Sequence, residues 1–190
     1  MIHYRPLLVS AAAILLAGCA ITHTINLSTH SVTSFELVDL RPQEDKETSY
    51  GKLEGRYAIA KFGDSSFVPD RLVVLKSLLD DRYGEALKGK RVDVTRFRTL
   101  AYLAPRNNLG EIINSLHGLS IYPGISDPRK DWWIFEIAVT VDGQRYEKNI
   151  AEETPEVKFC PSCYQEIRSK AVAHALNEFV ADFGRYVILR

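Results

Sequence analysis

The run WWIFEIAVTV at Trp132–Val141, followed at once by Asp142–Gly143, constrains the fold more than any other stretch of the chain. Residues this rich in β-branched and aromatic side chains read as a strand. Asp-Gly favours a type I′ turn, so the chain is expected to double back over Gln144–Ile150 as a hairpin.

Other segments supply partners for that hairpin. Val32–Leu40 and Arg56–Phe62 read as strands, separated by a charged loop at 41–55. Arg91–Leu103 reads as a long strand whose alternation slips near Thr95–Phe97, the mark of a bulge or bend. Two segments have helical periodicity. Over Val68–Lys88, Leu72, Leu75, Leu79 and Tyr83 share one face, Pro69 suits the first turn and Gly89 supplies the stop. Over Tyr164–Phe183, the stripe is Ile167, Ala171, Ala175, Phe179 and Phe183. Residues 104–131 are punctuated by Pro and Gly. They enclose a short amphipathic helix with Asn108 as N-cap, Glu111 three residues on, Leu109, Ile112, Ile113 and Leu116 on one face, and Gly118 as the stop. Two long one-faced helices need a surface to cover. The expected fold is α+β: a two-layer sandwich with a mixed, mostly antiparallel sheet of about five strands and both long helices on one face.

The 190 residues carry 24 basic and 24 acidic side chains. Such a balance argues against bulk nucleic-acid binding, which needs a basic footprint. No period of 20–50 residues suggests a solenoid.

The first twenty residues, MIHYRPLLVSAAAILLAGCA, place one positive charge before an apolar run, then small residues, then a cysteine. The run is shorter than the ~20 apolar residues a spanning helix needs, and it fits a signal-peptide core. Leu16–Ala17–Gly18–Cys19 resembles the lipobox of bacterial lipoproteins. The resemblance implies cleavage before Cys19, lipidation of its sulfur and acylation of its amine. Ala20, where an aspartate would imply retention in the inner membrane, implies export to the outer membrane. The implied organisation is a signal peptide at 1–18, a lipidated cysteine and tether at 19–31, and one periplasmic domain at 32–190. Length, lipobox and element order also resemble small outer-membrane lipoproteins of the LptE and YajG types, with no functional residue to carry over.

The other two cysteines, Cys160 and Cys163, lie in KFCPSCYQE. In an oxidising compartment a structural disulfide is one reading. A redox pair is another, with Cys160 before Pro161 at a helix start, where the dipole lowers a thiol pKa. That arrangement resembles the CxxC of thioredoxin-like proteins, but it comes near the end of the chain and lacks their later cis-proline. A third reading is half of a zinc site, for which no second CxxC exists. Compartment and context favour the disulfide.

Other candidates are surfaces. Arg91, Arg96 and Arg98 on one sheet face could hold phosphates bidentately, as in a lipid or lipopolysaccharide headgroup. The plainer reading is a charged edge strand that resists aggregation. Leu109, Ile112, Ile113 and Leu116 with Trp132 form a candidate partner surface, unless the short helix simply covers the sheet while Trp133 fills the core. His23 and His30 read as solvated in the tether, and His174 as solvated on the last helix. His117 suits the end of the short helix, where a cation offsets the dipole. Ser65–Ser66 reads as a turn, and the pairs Asp80–Asp81 and Glu152–Glu153 as solvated charge. No nucleophile elbow, P-loop or dinucleotide fingerprint occurs. The expectation is a non-enzymatic envelope accessory without a cofactor, held by a lipid anchor and binding an envelope protein. A thiol–disulfide protein and a lipid binder are the alternatives.

Overall fold

The computed structural model describes residues 22–54, 57–103, 131–154 and 161–187. In chain order the strands are β1 (His23–Thr24), β2 (Glu36–Asp39), β3 (Ser49–Glu54), β4 (Tyr57–Lys61), β5 (Phe67–Val68), β6 (Arg91–Leu103), β7 (Asp131–Val141) and β8 (Gln144–Thr154). The helices are α1 (Gln43–Lys46), α2 (Arg71–Leu87) and α3 (Pro161–Val187), with a 3-10 turn at Asp64–Ser66.

The fold is the expected two-layer α+β sandwich. The sheet runs β3-β4-β6-β7-β8, and β2 joins it beside β6. The long strand β6 therefore has a shared edge. Its first four residues pair in parallel with β2, from Glu36↔Arg91 to Asp39↔Val94. Its last four pair antiparallel with β4, from Ala58↔Leu103 to Lys61↔Leu100. On the other edge the register to β7 shifts between Val94 and Arg96, so the expected bulge sits where β2 gives way to β4. This makes β6 an interior strand, and the edge-strand reading of its arginines is corrected. Asp142 and Gly143 both have positive φ, 50° and 78°, as a type I′ turn requires.

One buried cluster joins the two long helices to a single sheet face. It contains Val74, Leu75 and Leu79 of α2, Val172, Leu176, Phe179, Val180 and Phe183 of α3, and Trp133, Phe135, Ile137 and Val139 of β7. The α3 stripe is thus wider than one residue per turn. The helices meet at Tyr83, whose hydroxyl donates to the Val180 carbonyl at 3.0 Å. A Cβ on Gly184 would fall 2.2 Å from that hydroxyl, so only glycine allows this approach. A second cluster, Ile59, Tyr102, Trp132 and Ile134, is separate from the main core. It occupies the opposite sheet face, as the alternation with Ala101 and Trp133 dictates.

Several boundaries differ from the sequence reading. The stretch read as a loop at 41–55 contains α1 and β3, an edge strand with its own register shift between Ser49 and Lys52. Its charged sequence has no apolar alternation, so pattern could not reveal it. Strand β2 is four residues, shorter than Val32–Leu40. Pro69 lies before α2, whose cap is Asp70, accepting from the Leu72 N–H at 2.7 Å. Gly89, with φ 72°, follows α2 as the stop. Strand β8 runs on to Thr154, so Glu152 and Glu153 are strand residues. Helix α3 begins at Pro161, three residues before Tyr164.

The segment read as a tether is packed onto the domain from residue 22 onward. His23 is fully buried, and Ile25 and Phe35 nearly so. The His23 ring lies 5.0 Å from Phe62, 5.6 Å from Phe67 and 5.2 Å from Trp133, centroid to centroid. Neither ring nitrogen has a hydrogen-bond partner among the described residues. The His30 N–H donates to Ser77 Oγ at 2.9 Å, and its Nε2 lies 2.8 Å from Asp80, which also accepts from Ser34. Asp80 is therefore engaged rather than simply solvated.

A buried ion set ties the smaller elements together. Arg71, at the start of α2, is fully buried between the rings of Phe67 and Phe97, 4.9 and 4.8 Å away. It donates to Asp64 at 2.6 Å, to Thr99 Oγ1 at 2.7 Å and to the Asp45 carbonyl at 3.3 Å. Arg41 is forked onto both Asp64 oxygens, at 2.9 and 2.8 Å, and onto both Asp39 oxygens, at 2.8 and 3.0 Å. Burial alone would raise the Asp64 carboxyl, but its bonds from Arg41 and Arg71 outweigh that and hold it below the usual carboxylate range.

Two outcomes are expected. Arg71→Ala leaves Asp64 with one partner and opens the ring sandwich, and should cost about 3–5 kcal/mol in urea denaturation. The second concerns pH. Burial first, and then the charge of Arg168, push His23 from 6.5 down to about 4. The unfolded chain therefore takes up a proton below 6.5 that the folded chain refuses until about 4. Stability should be full above pH 6.5 and fall by roughly 3 kcal/mol as pH drops to 4. His23→Leu should remove that component, seen as a smaller difference between melts at pH 7 and pH 4.5.

Candidate functional site

Strand alternation, with the bulge at Thr95, puts Arg91, Asp93, Arg96 and Arg98 on the sheet face away from the helices. The three candidate arginines do share one face. Each is already paired with a carboxylate. Arg91 Nε lies 2.6 Å from Asp93. Arg96 lies 2.8 Å from Glu147, across β7 on β8, and Arg145 also donates to Glu147 at 2.8 Å. Arg98 is the most engaged, donating to Asp45 at 2.6 Å and Glu44 at 2.8 Å, with Glu136 at 3.6 Å. Its bond to Asp45 raises its pKa. The face is a lattice of alternating charge rather than a set of open guanidinium forks.

Asp45 explains why Arg98 matters. The carboxylate is 1 % exposed, and its second oxygen has no partner among the described residues. Arg98 therefore joins α1 to the sheet, which makes its first role structural.

A groove of about 710 Å³ opens at the hairpin end of the domain. Gln144, Arg145, Tyr146, Lys148, Asp182 and Tyr186 are among its lining residues. Tyr146 faces the helix layer and packs on Phe179 at 5.2 Å. Tyr186, one turn beyond the apolar stripe of α3, stacks on Tyr146 at 5.3 Å and stays 53 % exposed. Burial, partly offset by Lys148, pushes the Tyr146 phenol up to about 12, so it stays a neutral hydrogen-bonding group at physiological pH. Lys148 lies 2.6 Å from Glu178 and contacts Asp182. The arrangement is a stacked aromatic pair bordered by fixed charges of both signs.

His174 on α3 is exposed but not merely solvated. Its Nδ1 lies 2.6 Å from Glu152 of β8, a contact that raises its pKa. With Glu178, these donors lie within 4.8 Å of one another, which is the donor chemistry of a divalent-ion site. Lys148 also lies beside this set, 2.6 Å from Glu178.

The remaining candidates are placed in part or not at all. Trp132 is 5 % exposed and packs with Ile59, Tyr102 and Ile134, so it is not a free anchor. Trp133 fills the core with Phe135 and Ile137, as one reading had it. Leu109, Ile112, Ile113, Leu116 and His117 lie outside the described residues, as do Cys19 and Cys160. Cys163 is in the first turn of α3, and its side chain lies outside them too.

The buried His23, the Arg41–Asp64–Arg71 set and the Tyr146–Tyr186 groove were missed by sequence reasoning. Faint signals existed. Asp39 and Arg41 are two apart in extended chain, and so point the same way. Tyr186 follows Phe183 by three residues, which continues the helical stripe.

The chain matches no protein-family model, no curated protein and no solved structure.

Arg98 and Arg96 should separate cleanly in urea denaturation. Arg98→Ala strands the buried Asp45 carboxylate and should cost about 1.5–3 kcal/mol. Arg96→Ala removes an exposed pair and should stay within about 0.5 kcal/mol of the parent chain.

Proposed function

We propose that the chain is a lipid-anchored accessory of the bacterial outer membrane whose domain binds an envelope partner and carries out no turnover. The sequence Leu16–Ala17–Gly18–Cys19 supports the anchor.

The observation that carries the reading is the placement of the two ends. Thr22, three residues after Cys19, meets the start of α3, where its carbonyl accepts from Gln165 at 3.4 Å. The Tyr146–Tyr186 groove is at the far end of the same helix. The helix rises ~1.5 Å per residue, so the two sites are about 30 Å apart. Anchoring at Cys19 would thus hold the groove away from the bilayer, toward other components of the envelope. The paired state of Arg91, Arg96 and Arg98 weighs against headgroup binding by those residues.

Cys19→Ala, expressed with its leader in a Gram-negative host, is expected to lose the diacylglyceryl and acyl mass and to leave the outer-membrane fraction. Unchanged fractionation with the outer membrane would overturn the anchoring reading.

A further inference from the structure

We infer that the β1–β5 corner of the domain lies against the lipid surface, with Val68 and Val73 as its contact residues. This rests on the anchoring reading above. The argument begins with His23. Its ring is caged by Phe62, Phe67 and Trp133, and Ile25 and Phe35 are buried a few residues on. The chain cannot uncoil past residue 23 without exposing that apolar surface. Its reach from a lipidated Cys19 is therefore four residues, at most about 14 Å when fully extended. A domain of this size has a radius of gyration of about 15 Å. The link is shorter than the body it holds, so the domain cannot present its faces to the bilayer at random. Only the neighbourhood of β1 reaches the headgroups.

Two exposed valines lie on the elements beside β1, among polar residues such as Thr24 and Asp70. Strands β1 and β5 pair in register, His23↔Phe67 and Thr24↔Val68. Phe67 turns inward at 3 % exposure and Val68 outward at 55 %. Val73, in the first turn of α2, is 46 % exposed, while Val74 and Leu75 beside it are fully buried. Isolated exposed valines are ordinary. What distinguishes these two is their position at the root of the link. Once the anchor is inserted, contact becomes intramolecular, and a weak apolar contact is sufficient to set orientation. The far side of the domain, with Tyr186 and the hairpin tip, then faces away from the membrane.

The test uses the full lipidated chain in a Cys160→Ser, Cys163→Ser background. An environment-sensitive fluorophore is attached in separate variants at Val68→Cys, Val73→Cys and, at the far end, Gln144→Cys. All three positions are surface sites, so the fold should tolerate the label. Each variant is reconstituted into phosphatidylethanolamine–phosphatidylglycerol vesicles containing doxyl-labelled lipid. Flotation and intact mass report anchoring on the same samples. Strong quenching with a blue shift at 68 and 73, and neither at 144, is the expected result. Anchored, lipidated chain with equal quenching at all three sites overturns the inference and leaves the anchoring reading standing. A blue shift at 68 and 73 without lipid quenching also overturns it, because a second copy or another protein then covers the corner. Chain that carries no lipid and does not float overturns both.

Discussion

The guanidinium of Arg71 is a full positive charge with no access to water, and much of the architecture follows from keeping it satisfied. Its ion partner, Asp64, comes from the turn after β4. Its neutral acceptors come from β6 and α1, and two phenyl rings close it above and below. Asp64 in turn holds Arg41, which holds Asp39 at the end of β2. Four short elements, β2, α1, the 3-10 turn and β5, are thus tied with the long α2 and β6 by one charge-balanced set. Such a set adds little net stability over an apolar plug of the same volume. It does penalise alternatives, because any register that displaces one member leaves another charge buried and alone. This gives a physical reason why charged, pattern-poor α1 can hold one position beside β6.

The parts of the fold that could be read in advance are those governed by local rules. The hairpin at Asp142–Gly143, the α2 face and the bulge near Thr95 each follow from turn chemistry or side-chain periodicity within about a dozen residues. What could not be read depends on distant partners. Strand β3 is polar because it lies at an edge. Its identity comes from pairing with β4, not from its own composition. His23 looks like a solvated residue among threonines and serines, and only Phe62, Phe67 and Trp133 make it a core residue. The arginines of β6 were found as a group. The neutralisation of Arg96 and Arg98 by Asp45, Glu147 and Glu136 was invisible, because those partners come from three other elements. The Tyr186 groove was missed because it needs a helix terminus and a hairpin tip brought together.

The two sheet faces have different characters. One is sealed by the long helices. The other divides into an apolar end, with Trp132, Ile134 and Tyr102, and a charged end, with Arg96, Arg98 and Glu147. Strand β6 passes through both ends. The division falls between Arg98 and Tyr102, whereas the bulge, between Val94 and Arg96, sits where the parallel neighbour β2 gives way to the antiparallel β4.

The cage around His23 also imposes an order of assembly. The ring is closed on one side by Trp133, about 110 residues further along the chain. A polypeptide emerging amino-end first cannot bury His23 until β7 has followed it out, and closure of such distant contacts comes late. Until then the segment His23–Ile25 has no complete core to join. Strand β1, which carries His23, is thus among the last parts of the domain to fold.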